Sequence, residues 1–127
     1  MKFTRLSGAL LAVALPFSVS GVASASPDTS LVLTIVTQNG DSESVALTCD
    51  PPGGSHPNAK RACAEIHAAQ GNFESLPGQS QQMMCTMEYL PVIALAEGTW
   101  RGEKVEWEHE YGNGCSLRTA TGTVFLF

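Results

Sequence analysis

The sequence predicts an α+β fold: an antiparallel β-sheet of about five strands with one main and one short helix, held by two disulfides. Three observations carry this reading. Apolar residues alternate in short runs bounded by turn signals, one stretch repeats its apolar positions at helical spacing, and four cysteines follow an export-type leader.

Residues 1–25 read as a signal peptide. Lys2 and Arg5 supply a positive start, Leu6 to Val19 an apolar run, and Ala23-Ser24-Ala25 a small-residue cleavage site. The apolar run is short for a membrane span and ends in Gly, Ser and Ala. Cleavage after Ala25 leaves residues 26–127 as one domain, near the size at which a core alone becomes marginal. That domain keeps five basic against twelve acidic residues, a net charge of −7. Such a balance argues against a nucleic-acid partner, since phosphate binding needs a basic surface. With no further long apolar segment, the expected product is secreted and extracellular, with no membrane attachment in its mature form.

"SLVLTIVT", Ser30 to Thr37, alternates β-branched and apolar residues and predicts a strand, ended by the turn signal Asn39-Gly40-Asp41. "ESVALTC", Glu43 to Cys49, reads as its hairpin partner, and "DPPGGSHP" as an irregular loop. Ala62, Cys63, Ile66 and Ala69 then fall at helical spacing, with Asn58 placed to cap the helix and Gly71 to stop it. "NFESLPG" reads as one more helical turn.

From Pro91 to Cys115 the pattern predicts two or three strands, with turns at Glu97-Gly98 and Arg101-Gly102. Val105, Trp107 and His109 alternate with Glu106, Glu108 and Glu110, which implies one buried and one acidic, solvated face. "GTVFLF" at the C-terminus reads as a last strand tied into the sheet.

An even cysteine count in an oxidising compartment reads as two disulfides. Of three pairings, Cys49 with Cys63 and Cys85 with Cys115 is favoured because each pair brackets a distinct turn-rich unit. Each bridge is worth about 3 to 4 kcal/mol in the chain-entropy picture. A zinc site of four cysteines is the weaker alternative, since no Cys-x-x-Cys pair occurs.

The chain offers little catalytic chemistry. His56, His67 and His109 share no metal-ligand spacing, paired cysteines leave no free thiol, and no nucleophile elbow or phosphate-cradling glycine loop is present. The expected protein has no metal and no cofactor, and is not an enzyme. Glu106, Glu108 and Glu110 offer a carboxylate row for glycoside hydrolysis, but such a row more often keeps a strand soluble and blunts edge-to-edge pairing.

The stretch "MMCTMEYLP", Met83 to Pro91, is informative in another way. Met87 is long, unbranched and apolar, suited to the hydrophobic primary pocket of a subtilisin-like or chymotrypsin-like enzyme. Cys85, two residues earlier, would pin the segment to the body, so that an extended substrate mimic loses little entropy on docking. The competing reading is that Met83, Met84 and Met87 are core filler beside a disulfide.

"SLVLTI", "VALTC", "GSHPNAKRACAEI", "MMCTMEY" with one residue before proline, "GTWRGEKVEWE", "NGC" and the terminal "VFLF" occur in this order. By these pieces the chain, over nearly all of residues 26–127, resembles the Streptomyces subtilisin inhibitor family of small secreted inhibitors of subtilisin-like serine proteases. The resemblance implies a reactive bond between Met87 (P1) and Glu88 (P1′). Met84, Cys85 and Thr86 then stand at P4, P3 and P2, and Tyr89 at P2′. It implies the same two bridges, a supporting role for Asn113 beneath the loop, and an antiparallel sheet with two short helices. It further implies a homodimer formed by stacked sheets, with Val32 as a candidate interface residue or, equally, a core valine.

Two positions depart from the family pattern: Thr86 stands where proline is common, and Glu88 where an apolar residue is common. Losing proline frees one backbone torsion. "TMEY" also resembles the binding loop of the potato inhibitor I family, in which arginines of the body hold the threonine and the acid. By that analogy Arg101 or Arg118 would brace Thr86 and Glu88 through charge-assisted hydrogen bonds. The expected function is therefore inhibition of subtilisin-like and, more weakly, chymotrypsin-like serine proteases. The alternative is a non-inhibitory binding module on the same scaffold.

Overall fold

A computed structural model describes residues 8–9, 11–18, 21, 28–78 and 84–127. Lys2, Arg5 and the expected cleavage site at Ala23–Ala25 lie outside the described residues, as does Met83. Leu11, Val13, Leu15 and Phe17 are exposed and add nothing to the core. No helix among the described residues is long and apolar enough to cross a membrane.

Four strands form one antiparallel sheet in the order β2-β1-β3-β4: β1 Thr29–Thr37, β2 Ser42–Cys49, β3 Val92–Trp100 and β4 Glu103–Tyr111. The β1–β2 hairpin turns where expected, with Gly40 N–H donating to Thr37 O and Gly40 at φ 84°. Helix α1, Ala59–Ala68, buries Ala62, Cys63 and Ile66. A short 3-10 turn, Phe73–Ser75, matches the extra helical turn read from "NFESLPG".

The alternating pattern of β1 places Leu31 and Leu33 on the inner face, paired with Leu47 and Val45 of β2 and with Gly98 and Ala96 of β3. Against them pack α1, Phe73, Leu76, Leu117, Val124 and Phe125. Trp107 lies 5.5 Å from Phe73 and 5.7 Å from Phe125, ring to ring, opposite the small Ala96. At about 25 cal/mol per Å² of apolar surface, burial of these side chains is the main stabilising term. Cys49–Cys63 ties the end of β2 to α1, and Cys85–Cys115 ties the segment before β3 to a second helix, α2 (Gly114–Thr121).

Three local expectations are corrected. Glu97-Gly98 is not a turn: β3 runs on to Trp100, and Gly98 sits within it at φ 137°, where an added Cβ would lie 2.1 Å from Ser30 O. The chain reverses at Arg101-Gly102, both at positive φ, as a two-residue hairpin requires. "GTVFLF" is not a fifth strand. Its backbone is held by side chains instead of a ladder, Thr123 N–H donating to Glu65 Oε2 (2.8 Å) and Val124 O accepting from His56 Nε2 (3.0 Å). Asn58 makes no side-chain cap on α1; its own N–H donates to His56 Nδ1 at 2.9 Å. His56 therefore carries its proton on Nε2 and is a buried tie between loop and tail.

The outer face of the sheet carries Val32, Thr34 and Val36 of β1, Ile93 and Leu95 of β3, and the Glu106, Glu108 and Glu110 row. Val32 is 49% exposed, so it belongs to this face and not to the core.

Candidate functional site

Residues 84–90 have no regular structure and lie just before β3, an interior strand of the sheet. Their exposure decides between the two readings of the methionines: Met84 and Met87 are each 99% exposed. Core filler does not stand in solvent, so for these two the packing alternative fails.

The loop is nevertheless tightly fastened, and a single short segment, Glu110 to Cys115, does the fastening. Cys85 is bonded to Cys115 in the first turn of α2 (Cα–Cα 5.6 Å), and its Sγ lies 3.4 Å from Thr119 Oγ1. Leu90 N–H donates to Gly112 O at 2.9 Å. Between these anchors the Asn113 side-chain amide donates to Thr86 O at 3.1 Å and to Glu88 O at 2.8 Å. Its oxygen meanwhile accepts from Ser116 N–H at 2.8 Å as the N-cap of α2. One residue thus starts a helix and holds the carbonyls of the residues on both sides of the exposed Met87. A side-chain amide suits both tasks, since it offers two donors and an acceptor at one end.

The two arginines do not brace this loop, a further correction of the sequence reading. Arg101 lies at the far end of β3, roughly 30 Å of strand from Pro91. There its Nη2 donates to His67 Nδ1 at 2.9 Å and its guanidinium covers the Trp100 ring at 4.7 Å. Arg118 is exposed on α2. Among the described residues no cation lies within 4.0 Å of Glu88. The restraint acts on the backbone of Thr86 and Glu88, through Asn113, and not on their side chains.

Two further sets of contacts could not be read from the sequence, although Tyr89 itself was expected at P2′. Tyr89 is 72% exposed and its hydroxyl donates to Glu110 Oε1 at 3.4 Å. On the inner face, Glu74 Oε1 accepts from Trp107 Nε1 (2.8 Å) and from His109 Nδ1 (3.1 Å), and His109 stacks on Tyr111 at 4.4 Å. The His109 bond first, and then the Trp107 indole, hold the Glu74 carboxyl below its ordinary value, while burial pushes the Tyr111 hydroxyl up.

The three histidines are far from one another in role, bonded to Val124 and Asn58, to Asp50 and Arg101, and to Glu74. Among the described residues no three His, Cys, Asp or Glu side chains are placed to hold a metal ion. Glu106 and Glu108 are exposed, Glu106 pairs with Lys104 at 3.0 Å, and the groove beside them holds only about 180 Å³. What stands out is the anchored loop, with the apolar Met87 side chain exposed between its fastenings.

These features define a small disulfide-bonded scaffold that presents one rigid loop. A family model described as subtilisin inhibitor-like matches residues 27–113, and the chain belongs to the subtilisin inhibitor-like family. It is 46% identical over 84 residues to subtilisin inhibitor-like protein 5 of Streptomyces fradiae, spanning 65% of this chain and 78% of that one. It is 42% identical over 104 residues to protease inhibitor SIL-V2 of Streptomyces orinoci, spanning 76% and 94%. Among solved structures it resembles Streptomyces caespitosus sermetstatin, crystallised in complex with Bacillus licheniformis subtilisin. The TM-score is 0.62 at 26% identity, over 77% of this chain and 97% of that one. The relatives are protease inhibitors by name, and the α+β fold agrees with that of sermetstatin.

Proposed function

We propose that this chain is a secreted inhibitor of subtilisin-like, and more weakly chymotrypsin-like, serine proteases, acting as a slow substrate through the bond Met87–Glu88. The observation that carries the reading is the Asn113 clamp: the carbonyls of Thr86 and Glu88 are both held while the Met87 side chain between them stands 99% exposed.

The mechanism follows from that arrangement. Met87 enters the apolar primary pocket, and the protease serine attacks the Met87 carbonyl carbon while its histidine takes the serine proton. Breaking the C–N bond would release the Glu88 amine, protonated by the same histidine. Asn113 and the Leu90–Gly112 bond keep that amine beside the acyl carbon, so re-formation of the peptide competes with hydrolysis. The protease supplies the chemistry and this chain supplies shape and restraint. Thr86 forgoes the stiffness of proline, and Asn113 offsets that loss from outside the backbone. The contact expected is of the usual protease–inhibitor size, about 800 Å² per partner.

Export through a signal peptide of residues 1–25 places the inhibitor outside the cell, with 26–127 as the working domain. A homodimer through the outer sheet face, with Val32 at its centre, completes the reading. Titrating subtilisin activity with the purified domain tests the function. A stoichiometric fall in activity supports it, and unchanged activity would leave a binding module without inhibition.

A further inference from the structure

The geometry points to Glu110 as a positioning residue that sets how the primed side of the loop is presented, through its hydrogen bond with Tyr89. This inference rests on reading Met87–Glu88 as the reactive bond, which puts Tyr89 two residues past the cut.

Tyr89 is the large aromatic side chain of the primed half of the loop, and aromatic rings of this kind act as anchors in interfaces. Its backbone neighbours are already held, Glu88 O by Asn113 and Leu90 N–H by Gly112 O. The freedom left is rotation of the ring in solvent. The exposed bond from its hydroxyl to Glu110 Oε1, at 3.4 Å, reduces that freedom by favouring one side-chain orientation. Glu110 is itself well placed for this. It projects from the outer face of β4 opposite Ile93 and lines a shallow groove with Ile93, Pro91 and Val36. Among the described residues no cation lies within 4.0 Å of its carboxylate, and the Tyr89 hydroxyl is its side-chain partner. A ring ordered before docking loses less entropy on binding than a free one, so the bond favours partners whose primed-side surface accepts that orientation.

Inhibition constants for subtilisin should be compared for the wild type, Glu110→Val, Glu110→Gln, Tyr89→Phe and the double variant Glu110→Val/Tyr89→Phe. The three-bond couplings of the Tyr89 side chain should be measured by NMR on each free protein. Losing one exposed hydrogen bond predicts about fivefold weaker inhibition for Glu110→Val and for Tyr89→Phe. The double variant should be no weaker than either, and Glu110→Gln, which keeps an acceptor oxygen, should stay within about twofold of the wild type. The couplings of the residue-89 side chain should average in Glu110→Val, in Tyr89→Phe and in the double variant, and keep wild-type values in Glu110→Gln. Inhibition by the wild type with additive losses, or wild-type couplings in Glu110→Val, would overturn the role of Glu110 alone. A wild type that does not inhibit at all would overturn the inhibitor reading and this role with it.

Discussion

The side-chain amide of Asn113 donates to the backbone oxygen of Glu88 at 2.8 Å while its own oxygen caps α2 through Ser116 N–H at 2.8 Å. The two jobs use opposite ends of one amide, so chemistry can separate them. In Asn113→Asp the cap acceptor remains, and a carboxylate at a helix N-terminus is favourable, but both donors to the loop are gone. Asn113→Asp is expected to keep most of the stability of the wild type and to be cleaved by subtilisin far faster. Asn113→Ala loses both roles, with about 1 kcal/mol of stability lost from the cap alone. Thermal unfolding and the rate of cleavage by catalytic subtilisin measure the two effects. Equal resistance of Asn113→Asp to cleavage would show that the clamp is irrelevant.

Met87 is expected to set which pocket is entered. Met87→Lys should gain inhibition of trypsin, whose primary pocket binds a cation. Mild peroxide, by converting the exposed thioether to a sulfoxide, should weaken inhibition of subtilisin. Trypsin and subtilisin titrations, with oxidation verified by mass spectrometry, check both. An unchanged inhibition constant after full oxidation of Met87 would count against its place in the pocket.

The bridge between Cys85 and Cys115 should matter more to the loop than its length alone suggests. Replacing both cysteines by alanine removes about 3 to 4 kcal/mol of stability in the chain-entropy model and frees the P3 residue. The variant should unfold at lower denaturant and be digested at Met87–Glu88. Chemical denaturation and timed proteolysis report each, and a variant that inhibits like the wild type would contradict the account.

Glu74 ties the 3-10 turn to the inner face of β4, and its pH dependence has a definite sign. A carboxyl held below its ordinary value of 4.5 adds stability above that pH, and this stability is lost as the pH falls through the folded-state value. Wild type should therefore exceed Glu74→Gln in Tm at neutral pH, with the gap closing below pH 4.5. Melting curves across the acid range test this. Parallel curves for the two proteins would mean that the His109–Glu74 pair contributes nothing.

Much of the fold was legible because period-two alternation and two-residue turn signals are local. β1, β2 and the face assignment of β4 follow from residues next to one another. The parts that misled depended on distant partners. Gly98 resembles a turn residue, yet its role is to let β3 pass close to Ser30 O. "TVFLF" has strand composition, but its backbone groups are satisfied by His56 and Glu65, far away in sequence. Helix α2 was hidden by threonines, although Asn113 and Gly122 mark its two ends. In the loop, Met87 stood out by chemistry and Asn113 by resemblance. Arg101 was drawn in by analogy, but His67 and Trp100 claim it at the other end of the sheet.

The most direct test of the reactive bond is to titrate subtilisin with the purified domain and follow the inhibitor by mass spectrometry over time. The account predicts stoichiometric loss of protease activity, with a slowly formed cleaved species whose new N-terminus is Glu88. Undiminished protease activity, or first cleavage at any bond other than Met87–Glu88, would contradict it.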